Sequence, residues 1–231
     1  MKINTLKIHS SNLAGQTRFY SEVIGLELIH KSDDQATFQV GGSLLTLVQN
    51  HSFRPYHFAF NIPANREKEA LDWLRDRVEI LDFEGRDIQD FDSWNAKAIY
   101  FYDADRNIVE FIARKNLPNQ SEDRFGPGSL LEISEIGMPV NDIETAYNAI
   151  NEIAPIKIYD GDFSRFCAIG DETGLFICID KEKKTWFPTG EQAFSADFEI
   201  EFAESGQVFK AEFINGDLTG REKPTNRQNR K

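Results

Sequence analysis

Glu110 lies inside the apolar run Ile108-Val109-Glu110-Phe111-Ile112-Ala113, directly after the turn Asp103-Ala104-Asp105-Arg106-Asn107. Burying an ionised carboxylate there is costly unless a cation or strong hydrogen-bond donors meet it. His57 opens a second candidate strand, in which Tyr56, Phe58, Phe60 and Ile62 alternate with His57, Ala59 and Asn61. Successive side chains on a strand point to opposite faces, so the larger set packs on a core and His57 points the other way. One imidazole and one carboxylate, each isolated on the polar side of an apolar strand, make half of a metal site. The competing readings are a pocket histidine bonded to a neighbour for His57, and an ion pair with a Lys or Arg, such as Lys97 across the sheet, for Glu110.

The elements that would position these residues recur three times. Residues 3–49 read as a strand, a helix with Asn12 as N-cap and Gly25 as its stop, then three strands, the last two joined at Gly41-Gly42-Ser43. Residues 56–115 repeat the order: the His57 strand, a helix from about Asn65 to Val78, strands near 78–82 and 98–102, and the Glu110 strand. Residues 132–180 do so again around a helix with Ile143, Ala146, Tyr147 and Ile150 at helical spacing. A hairpin with alternating Phe194, Ala196, Phe198, Ile200 and Phe202 follows, without a helix. The expected division is a domain of two units at 1–115, a Pro- and Gly-rich linker at 116–130, a third unit with its hairpin at 131–219, and a disordered tail at 220–231.

Composition narrows the function. A net charge of −12 excludes a nucleic-acid partner, which needs clustered Lys and Arg, and disfavours an anionic membrane surface. No run approaches the roughly 18 apolar residues of a membrane span, and Met-Lys-Ile-Asn-Thr is no signal peptide, so a cytoplasmic protein is expected. Cys167 and Cys178, both in apolar runs, read as reduced core residues, although their count alone leaves a disulfide open.

The repeated unit, with His57-Phe58-Ala59-Phe60-Asn61-Ile62-Pro63 opening one copy and Tyr100-Phe101-Tyr102-Asp103-Ala104-Asp105-Arg106-Asn107-Ile108-Val109-Glu110-Phe111-Ile112-Ala113 closing it, resembles the vicinal oxygen chelate superfamily. That superfamily includes glyoxalase I, a lyase, the extradiol dioxygenases, and the bleomycin- and fosfomycin-resistance proteins. The resemblance covers about residues 1–180, with Ala104 and Arg106 replacing the usual Pro and Gly of the turn. It implies an α+β fold of three βαβββ modules, the first two forming one cup-shaped sheet, plus the C-terminal β-hairpin.

The resemblance also implies that His57 and Glu110 are ligands of a divalent metal (Fe, Mn, Zn or Ni), with Thr5 and Thr46 at the matching positions of unit one. In unit three those positions are Glu135, read as structural, and Ile177. By this pattern the metal site is incomplete. His9, on the face of Thr5, and Asn61, which aligns with it, should line the cup with Thr5, Thr46 and Tyr100 as substrate contacts. Trp94, Phe101 and Tyr102 read as core or as a platform for organic rings. The implied activity is metal-assisted, dioxygenase- or lyase-like chemistry on a small oxygen-bearing substrate. The alternative is a metal-free cup that sequesters a small molecule, as resistance proteins do. Unit three lacks an adjoining partner unit, so either the hairpin closes it or it meets its copy in a homodimer.

Overall fold

Alternating apolar residues build three units of one plan in the computed structural model, which describes residues 1–220. Unit one comprises β1 (Lys2–Ser10), α1 (Leu13–Arg18, continued by a π-helical turn, Phe19–Val23), β2 (Leu28–Lys31), β3 (Gln35–Val40) and β4 (Ser43–Gln49). Unit two comprises β5 (His57–Ile62), α2 (Glu67–Arg75), β6 (Gln89–Phe91), β7 (Ala96–Tyr102) and β8 (Ile108–Arg114). Unit three comprises β9 (Glu132–Val140), α3 (Ile143–Ile153), β10 (Ile158–Asp162), β11 (Phe166–Asp171) and β12 (Gly174–Asp180). The chain ends in β13 (Phe198–Glu204), β14 (Gln207–Ile214) and β15 (Asp217–Gly220). The Asn12 carboxamide caps α1 by accepting from Gly15 N at 3.0 Å, and Gly25 ends that helical segment at φ +76°. The strand expected near 78–82 shrinks to a single bridge between Ile80 and Phe101, and β6 takes the edge instead. Apart from Gly220, the tail expected at 220–231 falls outside the described residues.

In each unit the opening strand lies parallel to the closing strand: β1 to β4, β5 to β8, β9 to β12. The other edge of the opening strand remains free, and a free edge must be covered. Here the structure corrects the expected pairing of units one and two. β5 pairs antiparallel with β9, giving an eight-stranded sheet in the order β10-β11-β12-β9-β5-β8-β7-β6. β1 pairs instead with β13, giving a seven-stranded sheet in the order β15-β14-β13-β1-β4-β3-β2. Units one and two meet through the α1 segment rather than edge to edge. Phe19 packs on Phe101 at 6.4 Å between ring centres, and the Tyr20 hydroxyl donates to Asp103 at 2.8 Å. Residues 116–130 therefore join two halves of one sheet, and Leu131 at their end bonds both Asn61 O (2.9 Å) and Gly42 N (2.6 Å). The partner unit expected for unit three in a second copy is supplied within the chain by unit two, through the pairing of β5 with β9.

The apolar stripe of β13 explains why it reaches β1. Phe198, Ile200 and Phe202 are buried in the same core as Ile3, Leu6 and Ile8, while Phe194, ahead of the strand, is half-buried beneath Arg54. Phe202 meets Phe176 of the other sheet edge to face at 5.7 Å and stacks on Phe209 at 5.6 Å. Replacing Phe202 by Ala should cost about 3–5 kcal/mol, the usual range for truncating a buried aromatic. Urea unfolding should report that loss, and hydrogen exchange should show the amides of β1 losing protection first.

Candidate metal centre

One register row across five strands carries the central residues: Leu175, Glu135, Ala59, Glu110 and Tyr100. Ala59 separates the two glutamates, and its single methyl lets their long side chains converge. Glu135 reaches this face through a bulge in β9: Ala59 pairs with Glu135 but Phe60 pairs with Ile133, so Ser134 is the extra residue. His57 enters from the start of β5, and its Nε2 lies 3.5 Å from Glu110 Oε2 and 3.9 Å from Glu135 Oε2. All three residues are buried, and one ligand atom from each falls within a 4.8 Å circle. Among the described residues this is the one such group of three or more His, Cys, Asp or Glu side chains.

The protonation pattern follows from burial. His57 Nδ1 faces the Ile108 carbonyl at 3.1 Å, so that nitrogen carries the hydrogen and Nε2 keeps its lone pair. Burial lowers the imidazole to about 4 against the opposing effect of the Ile108 bond, so the ring is neutral at pH 7. The contact with Glu110 is therefore not an ion pair, and two acceptors face each other across 3.5 Å. Burial and the charge of Glu135 raise the Glu110 carboxyl well above its ordinary range, against the pull of Arg114 and a bond from Tyr100. Burial also raises Glu135, opposed by the Arg114 guanidinium bonded to its Oε1. Arg114 is wholly buried; its Nε donates to Asn61 Oδ1 at 3.2 Å and its Nη1 has no hydrogen-bond partner. Either a shared proton or a cation must lie among these acceptors.

Above them is a cavity of about 350 Å³. Its walls are aromatic, including Phe91, Trp94, Tyr100, Phe166, Trp186 and Phe187. Trp186 covers His57 at 5.0 Å between ring centres, and Phe187 packs on Tyr100 at 5.4 Å. Both come from the segment between β12 and β13. That segment is clasped at its base: Lys181 N donates to Val140 O (3.0 Å), Ser195 Oγ to Pro139 O (2.7 Å) and Lys181 Nζ to Ser195 Oγ (3.1 Å).

The structure brings His57, Glu110 and Tyr100 together, and separates the other expected contacts from them. Because unit one lies in the other sheet, Thr5, His9 and Thr46 are outside this cavity. Thr5 lines a shallow surface pocket with Lys7 and Glu199, Thr46 shares a 3.1 Å bond with Thr37, and His9 Nδ1 lies 3.1 Å from Asn50 Nδ2. Asn61 is spent on structure, donating to Glu132 (2.7 Å) and to Glu172 O (2.9 Å) while accepting from Arg114. Lys97 pairs with Asp90 at 2.7 Å, not with Glu110. Cys167 and Cys178 face each other across β11 and β12 as buried free thiols. Glu135, read as structural from sequence, sits at the centre of the site; its family-equivalent position was the signal. Nothing in the sequence singled out Arg114 or Trp186.

No family model matches the chain. A curated protein named metallothiol transferase FosB from Staphylococcus haemolyticus is 31% identical over 116 residues, covering 47% of this chain and 80% of that protein. A FosB of Staphylococcus epidermidis is 30% identical with the same coverage. Among solved structures, a putative dioxygenase from Bacillus subtilis matches with TM-score 0.58 and 14% identity over 78% of this chain and 64% of its own. Glyoxalase I from Zea mays matches with TM-score 0.53 and 16% identity over 77% of this chain and 66% of its own. The chain thus spans less than two thirds of either structure, and at these identities the likeness is one of fold.

Gly137 tests the cover over the site. A Cβ there would come 2.6 Å from Trp186 Cη2 and 3.1 Å from His57 O. Gly137→Ala should therefore push the indole off His57 into solvent. The expected readout is a red shift in tryptophan emission that disappears when Trp186→Phe is added.

Proposed function

We propose a function from one settled premise: the chain belongs to the vicinal oxygen chelate superfamily. Its candidate activity is a metal-assisted transformation of a small oxygen-bearing organic molecule held in the aromatic cavity. The observation that carries this reading is the inward convergence of acceptors: a neutral imidazole nitrogen and two buried carboxylates, with a single guanidinium on the far side of one of them. That donor set fits a divalent cation of the N/O-binding kind. The relatives' name, metallothiol transferase, supports reading the chain as one of a metal-dependent group.

His57 Nε2, Glu110 and Glu135 Oε2 would hold the ion, leaving Glu135 Oε1 to Arg114. Bound there, a divalent cation supplies Lewis acidity to substrate oxygens. The chain's own residues do the rest. Ile108 O fixes the imidazole tautomer, and Tyr100 and Arg114 hold the carboxylates in orientation. Trp186 and Phe187 keep water from the polar floor. Ile177, at the position of a fourth family ligand, contributes only an apolar wall, so room remains for substrate beside the three donors.

A second reading, a metal-free binding cup, draws on the ion pair between Arg114 and Glu135. That pair answers one carboxylate already, and a proton on Glu110 directed at His57 Nε2 would answer the other.

Thermal unfolding with added Mn²⁺ or Zn²⁺ separates the two. At a hundredfold excess over Kd, a bound ion should stabilise the native chain by about 2.7 kcal/mol, roughly 5–10 °C in Tm. Glu110→Gln should abolish that shift, while the metal-free Tm stays level or rises because a buried carboxylate beside Glu135 is gone. A shift that survives Glu110→Gln places the ion elsewhere and leaves the binding-cup reading standing.

A further inference from the structure

We propose that the cavity is built for an aromatic acid: a planar compound of one or two rings whose oxyanion is held at the mouth by Lys184 and Arg165. This rests on reading the cavity as the substrate site, and it adds the class of substrate. Both cations line the cavity, Arg165 exposed and Lys184 half-buried, whereas Glu110 and Glu135 are buried. Among the described residues neither has a carboxylate partner, in a chain where 38 acids outnumber 26 bases. Lys181 is tied to Ser195 at 3.1 Å and Lys183 to Asp180 at 2.6 Å, while the Lys184 ammonium sits over the Phe166 ring at 5.6 Å. One acid, Asp160, lines the cavity as well; its carboxylate is held by Trp94 Nε1 at 2.5 Å and forms no ion pair with either cation.

Two unpaired cations side by side repel each other, and the effect is visible on Lys184: burial and the charge of Arg165 both push its ammonium down. An oxyanion between them would relieve both. The guanidinium offers a planar fork suited to a carboxylate, and the ammonium adds a point charge. Asp160 aside, the carboxylates lie at the buried end of the cavity and the cations at its exposed end. A ligand carrying an acid must enter ring-first, with the acid trailing. Trp94, Phe166, Trp186 and Phe187 line the cavity, and 350 Å³ lies at the small end of ligand cavities, which fits one or two rings.

The test is titration of the full-length chain with 2-naphthoate and with its uncharged counterpart 2-naphthamide, followed by tryptophan quenching. The wild-type chain should bind the acid at least about tenfold tighter than the amide, the increment of a charge-assisted contact. Lys184→Met and Arg165→Met should each shrink that preference. The double substitution should level it, in a chain that still unfolds cooperatively. Equal affinities in the wild-type chain, no binding of either compound at millimolar concentration, or a preference that outlives the double substitution would each overturn the proposal. Glu110→Gln keeps the two questions apart. The preference for the acid should persist there even though the metal-induced Tm shift is gone; its loss would put the oxyanion on the floor and remove Lys184 and Arg165 from the assignment.

Discussion

Each βαβββ unit leaves one edge of its opening strand without hydrogen-bond partners, and the whole arrangement follows from how those edges are satisfied. β5 finds β9, and that single antiparallel pairing places Glu135 beside Ala59, opposite Glu110. The bulge at Ser134 then turns Glu135 onto the cavity face while Ile133 and Ile136 stay in the core. β1, left over, is completed by β13. The unit without a partner unit is therefore unit one, and its sheet face carries solvated ion pairs such as Lys7–Glu199 (3.0 Å) and Lys210–Glu201 (2.9 Å) rather than a chemical site.

The Asp103-to-Asn107 turn does a different job from the glutamate that follows it. Asp103 accepts from the backbone of Asp105 and Asn107 and from the side chains of Tyr20 and Asn107, all between 2.8 and 3.0 Å. Asn107 Oδ1 accepts from Tyr56 N at 2.8 Å, and Asp105 takes Ser10 and Ser11 of unit one at 2.5 and 2.7 Å. The turn thus fastens the starts of β5 and β8 to each other and to the other sheet. His57 and Glu110 stand just beyond these fastenings, which is why their 3.5 Å approach can be held by the backbone. Electrostatically the site is poised: two buried carboxylates against one buried guanidinium, with a neutral imidazole between.

What could be read from sequence was what is local. Period-two alternation put His57 on the cavity face of its strand, the turn chemistry preceded Glu110, and Asn12 and Gly25 bounded the first helix. The partner of each opening strand could not be read this way, because all the units offer the same kind of edge and the choice rests on contacts far apart in the sequence, such as Ala59 with Glu135 and Ile3 with Phe202. That one undetermined pairing carried Thr5, His9 and Thr46 into the wrong cup and hid Glu135, whose role depends on a neighbour from another unit. Arg114 escaped notice for a similar reason. At the end of an apolar strand an arginine reads as a residue leaving the core, yet here it is wholly buried because Glu135 and Asn61 meet it.

The clasp formed by Lys181, Ser195, Pro139 and Val140 sets apart the intervening stretch that carries Trp186 and Phe187 as a closed Ω-type loop. Its two ends are pinned to β9, and residues 182–194 belong to no strand of either sheet. The cover over His57 is set by this loop's own packing, with Trp186 on His57, Phe187 on Phe83, Phe91 and Tyr100, and Glu191 on Arg106 at 3.0 Å. Evolution could retune the rate of entry by changing residues 182–194 alone, leaving the carboxylates and the strands beneath them untouched.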